Sequence, residues 1–251
     1  MTELIVLGTA ASVPDAEHDT VGYVLRGAGW AALIECGGSP LYKLARLGVA
    51  RDEIEAVILT HGHADHIYGL PMLVQGLWLG GRQAPLVIYA PDQALEHARR
   101  LLEIFTLAER EGLFEIRWKR IPLRENQPVA SLHGIEVTAS PVIHGAQDAV
   151  ALRLENPGSG RAIVYSSDTE PAEALARLAA GAYLLIHEAA GETAGHSSPA
   201  QAAEIAREAG VERLLLTHYP VVDTDLEQWR QQATGQGVEV DLARDGDVYT
   251  L

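Results

Sequence analysis

Between Leu59 and Leu73 the chain reads LTHGHADHIYGLPML, and the six residues from His61 to His66 include three histidines and an aspartate. Neutral imidazole and ionised carboxylate are the donors that zinc and neighbouring divalent metals prefer. Alternation at i, i+2 and i+4 lets such side chains converge from a loop. The sequence has one cysteine, Cys36, so an intramolecular disulfide and a Cys-rich metal cluster are both excluded. Any metal must therefore be held by His61, His63, Asp65 and His66 together with further histidines or carboxylates. A polar loop that merely happens to be rich in histidine is the bland alternative, but histidine is a costly choice there for packing alone.

One such motif offers too few ligands for two metals. Three further residues of ligand type follow apolar runs: His144 in SPVIHG, Asp168 in YSSDTE and His218 in LLLTHYP. Taken alone, Asp168 could cap a helix beginning near Pro171. Its position at a strand's C-terminal edge, shared with the others, makes it a ligand candidate.

The elements that must carry these residues follow from pattern. ELIVLG (Glu3 to Gly8), GYVLR (Gly22 to Arg26), AALIEC (Ala31 to Cys36), EAVILT (Glu55 to Thr60) and PLVIYA (Pro85 to Ala90) are short, apolar and rich in branched residues, so they read as buried strands. The same style returns at Gly134 to Ser140, Ala149 to Glu155, Arg161 to Ser167, Ala182 to Glu188, Glu212 to His218 and Gly237 to Ala243, after a linker near Pro122 to Pro128. Helical patterns cover Pro71 to Leu79, Asp92 to Ala108, Pro171 to Ala180, Pro199 to Ala209 and Asp225 to Thr234. Nearly continuous apolar strands imply sheets covered on both faces, hence a layered α/β fold. At 251 residues, 47% hydrophobic and 21% charged, the chain has enough material for one large domain with a full core. No apolar stretch approaches the roughly 20 residues that cross a bilayer, and the N-terminus lacks a basic region followed by an apolar secretion segment. The expectation is a cytoplasmic protein without a membrane partner.

The order His-x-His-x-Asp-His, then a lone His, a lone Asp and a final His resembles the metallo-β-lactamase fold hydrolases over nearly the whole chain. That resemblance implies an α/β fold, an αββα four-layer sandwich spanning residues 1–251 as a single domain. It also implies two zinc ions per chain, with manganese as the alternative, at the edge between the two sheets. By resemblance His61, His63 and His144 hold one ion, Asp65, His66 and His218 hold the other, and Asp168 bridges them. Within the superfamily, LGTAASVP, DHIYGLPMLV and the segment from Ile186 to Pro220 resemble the ribonuclease Z branch. The family's two loops near the C-terminus correspond to HEAA (His187 to Ala190) and HSS (His196 to Ser198), each without the family's threonine. His196 matches the family's catalytic histidine, which donates a proton or stabilises charge on the phosphate. Asp65 positions the attacking water or accepts its proton, and Glu188 orients His196 unless it is only a surface carboxylate at a strand end.

The resemblance implies a phosphodiester substrate, RNA among the candidates, but one departure bears on which. Ribonuclease Z proteins that process tRNA precursors carry a Gly/Pro-rich arm between the lone His and the lone Asp, an interval of only 24 residues here. A net charge of −15 also disfavours long-range attraction to a phosphate backbone. Small or cyclic phosphodiesters therefore compete with RNA as substrates, and a small ester, lactone or thioester is the alternative outside that class. The one basic patch, RWKRIPLR from Arg117 to Arg124, reads either as a grip on nucleic acid or as a charged edge strand that guards against pairing. A homodimer is an assembly compatible with the resemblance.

Overall fold

The computed structural model describes all residues from Met1 to Leu251. The first sheet contains β1 (Glu3–Gly8), β2 (Gly22–Gly27), β3 (Trp30–Ile34), β4 (Ile54–Ile58), β5 (Leu86–Ala90), β6 (Ile116–Arg120) and the last strand of the chain, β14 (Val248–Thr250). Its order is β14-β1-β2-β3-β4-β5-β6. The second contains β7 (Gln127–Leu132), β8 (Ile135–His144), β9 (Gln147–Asn156), β10 (Arg161–Tyr165), β11 (Leu184–Glu188), β12 (Arg213–Thr217) and β13 (Glu239–Leu242), in the order β13-β12-β11-β10-β9-β8-β7.

Period-2 alternation divides nearly every strand between two cores. In β1, Leu4 and Val6 face the second sheet while Ile5 and Leu7 face helices; in β10, Ile163 and Tyr165 point inward while Ala162 and Val164 point outward. Outside the first sheet lie α1 (Pro40–Arg46), α2 (Ala64–Ile67), α3 (Leu70–Leu79) and α4 (Asp92–Ile104). Outside the second lie α5 (Glu173–Ala179), α6 (Pro199–Ala209) and α7 (Leu226–Gln231). Three apolar clusters separate four layers, which is the expected αββα sandwich.

Within each sheet four neighbouring strands run parallel, β3 to β6 and β10 to β13, so their C-terminal ends share one edge. The two edges meet where Thr60 Oγ1 lies 2.6 Å from Ser167 Oγ. Past β3, β10 and β12 the chain turns through left-handed backbone at Glu35 (φ 62°), Ser167 (φ 59°) and His218 (φ 49°). Such residues are uncommon outside glycine and persist where surrounding contacts over-determine them.

The structure corrects several boundaries. The helix read as Asp92 to Ala108 ends at Ile104, and Thr106 follows in left-handed backbone (φ 51°). The linker near Pro122 to Pro128 runs into β7, and neither α1 nor β14 was expected. The helix after Asp168 starts at Glu173 with Ala172 as its N-cap, so Asp168 caps nothing. The basic stretch from Arg117 enters β6, an edge strand of the first sheet. No helix is long and apolar enough to cross a membrane.

Leu152 is fully buried between the sheets. Its replacement by alanine leaves a cavity there, and Leu152→Ala should lower unfolding free energy by about 2–5 kcal/mol. Val13→Ala, at a side chain 63% exposed, should stay within about 0.5 kcal/mol. Urea midpoints followed by circular dichroism check the contrast, and equal midpoints would contradict the inter-sheet core as described.

Candidate metal centre

The loop after β4 presents its donors in two directions because the backbone changes conformation midway. His61 precedes and His63 occupies extended backbone (His63 φ −72°, ψ 154°), whereas Asp65 and His66 sit in the first turn of α2. Gly62 between them cannot carry a side chain: a Cβ would lie 2.5 Å from His97 Nδ1, whose N–H donates to the Gly62 carbonyl at 2.9 Å. The loop is thereby pinned to α4. The second sheet contributes His144 at the end of β8, Asp168 beyond β10 and His218 just past β12. All seven predicted ligand residues come together, and all but the half-exposed His63 are buried.

Their donor atoms form overlapping groups, each within 4.8 Å: His61, His63, His144 and Asp168 in one, Asp65, His66 and His218 in another. Asp168 Oδ2 joins the two. It lies 3.4 Å from Nε2 of His66 and of His218, and 3.8 Å from Nε2 of His61 and of His144. Asp65 Oδ2 lies 3.3 Å from His218 Nε2 and 3.7 Å from His66 Nε2.

The donor set fits divalent cations. His63 Nδ1 faces two other ring nitrogens, His144 Nε2 at 2.9 Å and His61 Nε2 at 3.2 Å. With His144 donating from Nδ1, its Nε2 offers a lone pair, and one N–H on His63 or His61 would have to serve the whole triangle, whereas a shared cation would satisfy all three nitrogens. Buried His66 Nε2 and Asp168 Oδ1 have no hydrogen-bond partner at all, and orphaned buried polar atoms are expensive.

Protonation follows the same lines. Burial pushes His61 and His63 below the ordinary histidine range and keeps them neutral, the form that ligates. Burial opposes ionisation of Asp65, but the His218 hydrogen bond and the charges of His66 and His218 hold its carboxyl well below the usual range. Asp168 is likewise penalised by burial and held well below that range by His218, His66 and His61. His66 runs the other way: burial disfavours its cation, yet the Asp168 and Glu35 carboxylates raise it.

A second layer of residues fixes these side chains. Glu35 Oε1 lies 3.3 Å from His66 Nδ1, and this fully buried carboxylate also accepts from the Thr60 amide (3.2 Å) and from its hydroxyl. Ser12 Oγ donates to Asp65 Oδ2 at 2.8 Å. His144 donates from Nδ1 to the Gly195 carbonyl at 2.6 Å, while Glu170 Oε1 accepts from the Gly195 amide at 2.8 Å. Gly195 has φ 86°, and a Cβ there would lie 2.8 Å from His144 Nδ1. Sequence reading missed Glu35, Ser12 and Glu170. Glu35 did carry a signal, a lone carboxylate inside the apolar run AALIEC; a serine in an exposed loop carries none.

His196 stands beside the centre. Its ring stacks on His218 (centroids 5.7 Å apart, 13° between planes) and meets His144 edge-on at 4.9 Å. Its Nδ1 donates to Glu188 Oε1 at 3.2 Å, which raises the imidazole's affinity for a proton. Glu188 is no surface carboxylate. It is fully buried and accepts as well from the amides of Thr169 (3.2 Å), Ser197 (2.8 Å) and Ala190 (2.8 Å).

Comparison with known proteins agrees with this geometry. The chain is 29% identical over 290 residues to the Ribonuclease Z of Methanothermobacter thermautotrophicus, with 92% of each protein covered. That span exceeds the 251 residues of this chain, so the relative has residues without a counterpart here. Among solved structures it is similar to the metallo-β-lactamase fold protein YhfI of Bacillus subtilis (TM-score 0.80, 28% identity, 99% and 98% of the two chains). It is similar too to the short form of human tRNase Z, ELAC1 (TM-score 0.78, 26% identity, 99% and 98%). Residues 14–219 match the Beta-lactamase superfamily domain, and with most of its length inside that match the chain belongs to the β-lactamase superfamily.

Proposed function

We propose that this protein is a metal-dependent phosphodiesterase related to ribonuclease Z. The observation that carries the reading is Asp168 Oδ2 set among four histidine Nε2 atoms, with the His196–Glu188 pair alongside. The Ribonuclease Z and tRNase Z relatives support phosphodiesters as the substrate class. Zinc is the proposed ion, two per chain, with manganese as the alternative, because imidazole and carboxylate donors suit both. We further propose that residues 1–251 act as a single domain, which an inter-sheet cluster running from Leu4 to Leu251 supports, and that the cytoplasm is its compartment.

In this reading His61, His63 and His144 would hold one ion and Asp65, His66 and His218 a second, with Asp168 placed to serve both. Such ions supply Lewis acidity towards a phosphoryl oxygen and make water nucleophilic near neutral pH. The chain's residues supply aim and proton transfer. Asp65, braced by Ser12, aligns the attacking water and takes its proton. Glu188 keeps a proton on His196 Nδ1, which leaves Nε2 as the nitrogen that meets the substrate. From there His196 protonates the leaving oxygen or hydrogen-bonds a non-bridging one. Glu35 and the Gly195 carbonyl fix ring orientation at His66 and His144, the task of outer partners around metal-bound histidines.

Elemental analysis of the purified protein should find about two zinc or manganese ions per chain, and fewer than one, or an unchanged content in His63→Ala, would overturn the assignment. The protein should hydrolyse bis-p-nitrophenyl phosphate, and a chelator or Asp65→Ala should abolish the reaction. His196→Ala should reduce kcat by about 10²–10⁴ while metal content holds. Activity on lactones or thioesters alone would move the protein to acyl chemistry. Glu35→Ala should weaken metal affinity about 10–100-fold in competition with a chromophoric chelator; an affinity equal to that of the parent would make Glu35 only a packing residue.

A further inference from the structure

The active edge is electrostatically lopsided. Ser12 brings the loop with the exposed Asp15 and Glu17 to the Asp65 side of the centre. On the other side, α4 contacts Gly62 between His61 and His63. Gln93 of that helix accepts from the Asp148 amide at 3.0 Å, and Asp148 adjoins Gln147, the ladder partner of His144. Pairing and chain connectivity keep the Asp148 Cα within about 10 Å of the His144 Cα. Asp148 also lines a cavity of about 330 Å³ with Asp92, Arg120, Pro122, Leu123 and Arg124. That is near the lower end of the roughly 300–1,000 Å³ range of ligand pockets.

The cations of this rim are available. Of the acids flanking the basic stretch, Glu115 takes up Arg117 at 2.8 Å, outside the cavity, and both Glu125 oxygens accept from Arg177 at 2.8 and 3.0 Å, which leaves Arg120 and Arg124 free of them. Lys119 and Arg124 make no ion pair. Arg120 pairs only with Asp92, at 2.7 Å, and both side chains are more than half exposed. Exposed pairs are worth about 0–1 kcal/mol, so a phosphate can take that guanidinium. Mixed lining suits a nucleotide better than a bare anion. Guanidinium groups fork onto phosphate, carboxylates accept from ribose hydroxyls or base amino groups, and Pro122 with the 43%-exposed Leu123 offers an apolar face to a base.

Resting on the phosphodiesterase reading, we propose that this cavity is a nucleotide subsite. It receives the residue next to the scissile bond of a single-stranded ribonucleotide chain, with Arg120 and Arg124 on its phosphate. The basic rim then does locally a part of what a remote arm does for a large RNA, and the acidic loop opposite makes the binding direction unique.

The test compares Arg120→Ala/Arg124→Ala with Arg100→Ala/Arg207→Ala, which removes the same charge from exposed positions outside the cavity. For a labelled five-nucleotide single-stranded RNA, the first pair should raise KM about tenfold and flatten the salt dependence of binding by about one unit of log–log slope, with the control close to the parent. Turnover of bis-p-nitrophenyl phosphate, which has no second phosphate to offer Arg120 and Arg124, should be unchanged in both. An unchanged KM, an equal rise in the control, or a parallel loss on the small diester overturns the subsite. Should the parent cleave no phosphodiester, the phosphodiesterase reading fails by itself. The subsite is then decided by fluorescence anisotropy of the same RNA on the same proteins: about tenfold weaker binding in the cavity variant alone sustains it, and equal binding rejects it.

Discussion

The buried carboxylate of Asp168, facing four imidazole nitrogens across the seam of two sheets, is the constraint on which the rest depends. A carboxylate that is 2% exposed is tolerable only with strong compensation, because desolvation of an unpaired ion costs several kcal/mol. Protonated histidine compensates in part, since Asp168 and Glu35 push His66 up, but burial drives His61 towards neutrality. Divalent cations would resolve both problems together, neutralising the carboxylates and giving the facing nitrogens a shared partner. Hence the αββα architecture is tied to the chemistry: ligands from two sheets must converge to within a few ångströms, and only a rigid inter-sheet core can hold their strand ends in register.

Three of the chain's seven non-glycine residues with positive φ lie at that seam. Glu35, Ser167 and His218 adopt left-handed conformations just past β3, β10 and β12, each at about 1–3 kcal/mol. The compensation is visible in the network that locks them. Thr60 bonds to Glu35 and Ser167 at once, and Tyr23 donates to Thr217, the residue before His218, at 3.1 Å. Because these hydroxyls are buried and mutually satisfied, relaxing one of the three turns would orphan groups on the others.

Which parts of this were legible in the sequence depended on whether a residue type was surprising in its place. Histidines and aspartates straight after apolar runs stand out, so His61, His63, Asp65, His66, His144, Asp168 and His218 were readable before any fold was known. Glu35 met the same criterion yet was absorbed into a strand read as Ala31 to Cys36, because one carboxylate at a strand end is commonly just solvated. Here it is buried, for a reason visible only once α2 brings His66 across to it. Ser12 and Glu170 act through contacts 53 and 25 residues away, beyond any local pattern. Among the elements, β7 and β14 escaped because edge strands are short and half-polar, and β7 includes Pro128, which an edge tolerates. The α4 end was overrun because helical periodicity continues past Ile104, where left-handed Thr106 interrupts it.

The charge distribution separates affinity from chemistry. At −15 the chain repels polyanions at long range, and at about 0.15 M salt that field decays within roughly 8 Å. What an anionic substrate meets at contact is therefore decided by the nearest groups, which in the proposed reading are divalent ions, His196, and on the α4 side Arg120 and Arg124. An enzyme with a net charge of −15 gains little from the length of an anionic substrate beyond the residues that touch its local cations. The overall acidity then works as a filter on substrate size, and the local cations work as a filter on substrate charge.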